Sequence, residues 1–80
     1  MRYAVLLEPT ATGFSAHVPD LMGCAAAGRT REETLRLIRE AVEFHIEGMR
    51  LNGEEIPRPV SIPDFVDVFD PNGLNASDNK

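Results

Sequence analysis

Thr30-Arg31-Glu32-Glu33-Thr34-Leu35-Arg36-Leu37-Ile38 is the stretch whose reading decides the fold. The Thr30 hydroxyl can accept from the free backbone donors of a first turn while Glu33 reaches back, the Thr-x-x-Glu arrangement that opens a helix. At about 100° per residue, Thr34, Leu35, Ile38, Ala41, Val42, His45 and Met49 then share one face, with Leu37 and Gly48 at its margin. The opposite face collects Arg36, Arg39, Glu40, Glu43, Glu47 and Arg50, and Glu32/Arg36 and Arg36/Glu40 are opposite charges four apart. One face meets a sheet and the other meets water. Phe44, Ile46 and Leu51 widen the apolar surface beyond what a small sheet needs to cover, which suits a contact between subunits. Asn52-Gly53 ends the helix through a left-handed cap.

Upstream, residues 2–8 place Tyr3, Val5 and Leu7 on one side and Ala4, Leu6 and Glu8 on the other, the pattern of a strand covered on both faces. Pro9-Thr10-Ala11-Thr12-Gly13 supplies turn chemistry, and Phe14, Ala16 and Val18 alternate with Ser15 and His17 in a second, antiparallel strand. Pro19-Asp20-Leu21-Met22-Gly23 breaks that strand, because Pro19 has no N–H to donate and Gly23 accepts a positive φ. A third strand of small residues spans 24–27 and is closed by Gly28. Beyond the helix, Ile56-Pro57-Arg58-Pro59 is an extended connector. Asp64-Phe65-Val66-Asp67-Val68-Phe69 is the one remaining run apolar enough for a strand, either within the chain or exchanged with another copy. The expected fold is therefore α+β: a three-stranded antiparallel sheet on one long helix, with a fourth C-terminal strand. Residues 1–69 form the domain and residues 70–80 a flexible tail.

The 80 residues include 13 acids against 8 Lys and Arg, a formal net charge of −5. Such a chain repels phosphate backbones and attracts basic proteins, so direct nucleic-acid binding is disfavoured. A core this small, with no disulfide, is commonly supplemented by a second copy, and a homo-oligomer is expected. A single cysteine, Cys24, allows no internal disulfide and fits a reducing cytoplasm. The first residues carry no signal-peptide pattern, and no stretch approaches the roughly 20 apolar residues of a membrane helix.

The residues able to do chemistry are scattered. His45 lies mid-way along the apolar helix face with no Cys, Asp or Glu beside it, and reads as a packed, hydrogen-bonded core histidine rather than a base or ligand. His17 stands off the apolar side of its strand, an exposed histidine with partner contact as its functional alternative. Cys24, among small and apolar neighbours, reads as a buried thiol. A two-metal nuclease needs several carboxylates gathered together, yet Glu8 is the one acid inside the first two strands. No catalytic, cofactor-binding or metal-ligating residues are expected, and no cofactor. Gly23 and Gly28 are turn glycines, not a phosphate loop.

Val18-Pro19-Asp20-Leu21-Met22-Gly23-Cys24, followed by Gly28-Arg29-Thr30-Arg31-Glu32-Glu33, resembles the signature of the HicB-like antitoxin family: a Pro-Asp-Leu-x-Gly-Cys turn, a short strand, then a Gly-x-Thr-x-x-Glu helix start. Tyr3-Ala4-Val5 with Gly13-Phe14-Ser15-Ala16, and the exit Gly53-Glu54-Glu55-Ile56-Pro57, are similar to the same family's first hairpin and helix exit. The resemblance covers residues 2–59. It implies a β-β-β-α-β domain related to a trimmed ribonuclease-H-like fold that covers and neutralises a small basic RNA-cleaving toxin, HicA-like, without catalysis of its own. Pro19, Asp20, Gly23, Gly28, Thr30 and Glu33 are the structural motif, and the residues touching the partner stay open. Met22 stands where the family often has a second proline, and Ala25-Ala26-Ala27 is a blander third strand than usual. The stretch after Pro59 is too short for the DNA-binding domain that many members carry. Two other functions remain in view: a protein-interaction scaffold with no toxin, and a metal-dependent ribonuclease using Asp20 and nearby acids.

Overall fold

The computed structural model describes residues 1–71. Three strands, β1 (Leu6–Pro9), β2 (Phe14–His17) and β3 (Ala25–Gly28), precede one helix, α1 (Arg31–Leu51). The strands form an antiparallel sheet in the order β1-β2-β3. Leu7 opposes Ala16, and Ala16 opposes Ala26, so one row, small on β2 and β3, crosses the sheet beneath the helix. Alanines there let α1 approach closely, and it packs most extensively on β3 and then on β2. Ala16, Val18, Leu21, Cys24 and Ile38 form the buried core, with Tyr3, Val5, Leu7, Leu35, Val42 and Ile46 partly buried around it.

Both helix ends are closed by local chemistry. Thr30 is the extended N-cap, and its Oγ1 accepts from the Glu33 N–H at 3.0 Å. The reciprocal bond differs from the capping box expected from sequence: Glu33 Oε1 accepts from the N–H of Arg29 at 2.6 Å, one residue before the cap. At the far end Glu54 N–H donates to the Met49 carbonyl and Gly53 N–H to the Arg50 carbonyl, a Schellman motif made possible by the positive φ of 71° at Gly53. On the solvated face Arg36 pairs with Glu40, Arg39 with Glu43 and Arg50 with Glu47, while Glu32 forms no ion pair among the described residues. All three pairs are exposed and add little to stability.

Close packing gathers at one corner. A Cβ on Gly13 would lie 2.2 Å from the Gly28 carbonyl oxygen, and one on Gly28 would lie 2.8 Å from Thr34 Oγ1. Thr34 is fully buried, and its hydroxyl donates to the Thr30 carbonyl at 2.7 Å.

The structure corrects two strand expectations. Pairing in β1 is confined to Leu6–Pro9, and the strand is covered on one face: Tyr3, Val5 and Leu7 pack inward, whereas Leu6 is 45% exposed. Only one layer, the helix, is available to cover a sheet, and residues 2–5 run past the point where β2 ends at the Pro19 turn. The fourth strand expected over residues 64–69 does not form in the single chain. Phe69 sits in an isolated bridge, and Phe65, Val66, Val68 and Phe69 are exposed. Alternating side chains make a strand only where a partner edge is offered. The tail expected over residues 70–80 lies, from residue 72 onward, outside the described residues.

Candidate interaction surface

The Pro19-to-Gly23 turn is built to bury one side chain and display the next. Val18 N–H donates to the Cys24 carbonyl, Leu21 N–H to that of Val18 and Cys24 N–H to that of Leu21, while Gly23 takes a φ of 82°. This closed loop leaves Leu21 at 1% exposure in the core and Met22 at 94% in solvent. Pro19 is exposed at the loop's start. Cys24 is buried and unpaired, and burial raises its thiol pKa above the ordinary value, so it is a poor nucleophile.

Asp20 has a role that reading along the chain did not reveal. Its Oδ2 accepts from the N–H groups of Val60 and Ser61 at 3.0 and 2.8 Å, and its Oδ1 accepts from the Ser61 hydroxyl at 2.7 Å. These bonds, led by the one from the Ser61 backbone, hold the carboxyl below the usual aspartate range. Asp20 is thus a clamp on the connector that follows the helix. The Tyr3 hydroxyl makes a second tie by donating to the Pro57 carbonyl. An acid in a Pro-Asp turn and a proline-rich connector were the only sequence signals of this arrangement.

The helix outruns the sheet beneath it. Its 21 residues span about 30 Å, against about 13 Å for strands of four residues. Thr34 and Ile38, both in its first half, are its fully buried residues. This overhang corrects the reading of His45, which lies outside the core cluster: it is half-buried, makes no hydrogen bond among the described residues, and lines a groove with Leu21, Met22, Phe44, Gly48 and Met49. Phe44 is 83% exposed beside that groove. Gly48 forms part of its wall, and a Cβ there would meet nothing within 4 Å. Nothing among the described residues requires a glycine at that helical position. His17 is exposed on β2, on the face away from the helix.

No three His, Cys, Asp or Glu side chains gather as a metal-ion cluster among the described residues. No described helix is long and apolar enough to cross a membrane. The described surface is made of apolar patches and scattered charge.

A family model described as the HicB-like antitoxin of bacterial toxin–antitoxin systems matches residues 3–74. The chain belongs to the HicB-like antitoxin family. Among its relatives, a 14.9 kDa protein of Haemophilus phage HP1 is 38% identical over 66 residues, covering 82% of this chain and 50% of the phage protein. A UPF0150 protein of Thermoplasma acidophilum is 37% identical over 59 residues, 72% of this chain and 86% of that one. Antitoxin HicB 1 of Photorhabdus laumondii is 38% identical over 74 residues, 85% of this chain and 45% of the antitoxin. The HicB-like chain therefore spans about half the length of the phage and Photorhabdus relatives and most of the archaeal one. Among solved structures, a chain of the HicA3 and HicB3 toxin–antitoxin complex superposes with a TM-score of 0.67 at 33% identity, covering 76% of this chain and 71% of that one. The sheet-and-helix architecture is common to both.

Proposed function

We propose that this chain is an antitoxin: it binds and neutralises a small basic RNA-cleaving toxin, without catalysis, as a homo-oligomer in the cytoplasm. The observation that carries this reading is the structural likeness to a chain of the HicA3 and HicB3 complex, at an identity well above that of fold likeness alone. The chain's physics supports it. A net charge of −5 draws a basic partner and repels RNA itself. The groove beside Met22 and Phe44 offers two exposed apolar anchors at the overhanging half of the helix, with Glu54 in its lining. Apolar anchors with a single acid beside them suit a basic protein surface.

The test is co-expression with a small basic RNA-cleaving toxin of the HicA type, taken first from any reading frame adjacent to this chain's own. The expected result is rescue of growth and a complex that copurifies. Undiminished toxicity with no complex overturns the antitoxin reading and favours a scaffold for some other protein.

A further inference from the structure

The Pro19-to-Gly23 turn places two neighbouring sulfur atoms in opposite environments. Met22 is 94% exposed, whereas Cys24 is 4% exposed in the core. The display of Met22 is fixed by the backbone: hydrogen bonds from Val18, Leu21 and Cys24 close the loop, Gly23 turns it with a φ of 82°, and Leu21 anchors it at 1% exposure. A large apolar side chain held in water this way contributes nothing to its own fold. The other two methionines stand differently. Met49 is half-buried on α1, and Met1, though 83% exposed, lines a separate groove with Tyr3 and Val5.

Access and chemistry select between these sulfurs. A thiol is oxidised as its thiolate, and burial both shields Cys24 and raises its pKa, which removes it as the first target. A thioether has no proton to lose, so exposure governs its reaction. Met22 is therefore the chain's most accessible target for an oxidant. It is also one of the two exposed apolar side chains, with Phe44, in the groove that Leu21, His45, Gly48 and Met49 complete. A methionine in that position fills a partner's irregular surface well, and it does so only while its sulfur remains a thioether.

We propose that Met22 is an oxidation site, and that its conversion to the sulfoxide by hydrogen peroxide weakens the hold of this groove on the toxin. A lone pair on Met22 Sδ attacks one peroxide oxygen, the S–O bond forms as the O–O bond breaks, and the departing hydroxide takes up a proton and leaves as water. The sulfur is oxidised and the peroxide reduced by the same electron pair. In the free chain the new oxygen stays hydrated, so the fold is untouched. Covered by an apolar contact, it loses its water without gaining a donor. The change is reversible, because sulfoxide reductases return the thioether. The inference rests on the reading of the groove given above and adds to it the condition, peroxide, under which the toxin is let go.

The test treats the purified full chain with hydrogen peroxide, removes the peroxide with catalase, follows each methionine by peptide mass spectrometry and titrates a HicA-type toxin by calorimetry. Met22 is expected to gain oxygen before Met49 with far-UV circular dichroism unchanged, and the oxidised chain to bind the toxin about tenfold more weakly. Sulfoxide reductase is expected to restore binding. The Met22→Leu chain, whatever its starting affinity, is expected to bind equally before and after peroxide, which separates Met22 from Met1. Oxidation of Met49 ahead of Met22, or a Met22→Leu chain that peroxide weakens as much as the wild type, overturns the site. A Met22 sulfoxide that binds as tightly as the thioether, where Phe44→Ala does weaken the complex, overturns the inference and leaves the groove standing. Where neither change alters affinity, the toxin sits elsewhere and the groove falls with the inference. A chain that binds no toxin overturns the antitoxin reading and this inference together.

Discussion

Asp20 and Ser61 are joined by two hydrogen bonds across 41 positions of sequence, one from the Ser61 N–H at 2.8 Å and one from its hydroxyl at 2.7 Å. With the further bond from Val60, the carboxylate form of Asp20 is stabilised and its pKa is lowered in the folded chain. A lowered folded pKa means that the clamp contributes fully above the ordinary aspartate value of about 3.9 and is lost as pH falls through the folded pKa. Acidification below about pH 4 is therefore expected to free the connector while the helix persists. The Ser61 amide shift in NMR, followed against pH, checks this. At neutral pH Asp20→Ala should produce the same release, read as faster proteolysis within residues 57–63 with helical circular dichroism unchanged.

Three glycines give opposite signs. Gly13→Ala places a methyl 2.2 Å from the Gly28 carbonyl oxygen, a backbone atom that cannot step aside, and is expected to cost about 2 kcal/mol or more. Gly28→Ala meets Thr34 Oγ1 at 2.8 Å, where the hydroxyl is held in place by its bond to Thr30, and also destabilises. Gly48→Ala enters open space within a helix and should stabilise by about 0.5–1 kcal/mol. Urea denaturation midpoints at constant slope read all three.

Stability and partner binding separate along the helix. Ile38→Ala removes a side chain that is 2% exposed in the centre of the core, and a loss of about 2–4 kcal/mol is expected. Phe44→Ala, at a position 83% exposed, should change stability by no more than about 0.5 kcal/mol. If the groove beside Met22 receives the toxin, Phe44→Ala weakens that complex at least tenfold, measured by titration calorimetry. Equal affinity for both proteins removes this groove from the interface.

Cys24 tests the integrity of the turn. Buried among Val18, Leu21 and Ile38, with its thiol pKa raised by desolvation, it should react with a disulfide reagent far more slowly in the native chain than in urea. A native rate close to the unfolded one would show that the Pro19-to-Gly23 loop opens readily.

The sequence by itself determined the elements whose chemistry is local. The cap at Thr30, the Gly53 exit and the Gly23 turn are satisfied by groups within a few residues, and each stands where the residue types require it. The alternation that brings Ala16 and Val18 inward is equally local, as is the small-residue strand at Ala25–Gly28. Only the tertiary structure decided what depends on the element lying opposite. His45 sits on an apolar stripe yet is not in the core, because a 21-residue helix extends beyond strands of four. Residues 65–69 have the pattern of a strand, yet among the described residues they pair only through the isolated bridge at Phe69. Asp20 stands in the turn motif that the sequence shows, but its partner is known only once folding carries Ser61 to it. Pattern specifies which side chains seek cover, whereas the lengths and crossings of the packed elements settle which of them find it and which remain for another molecule.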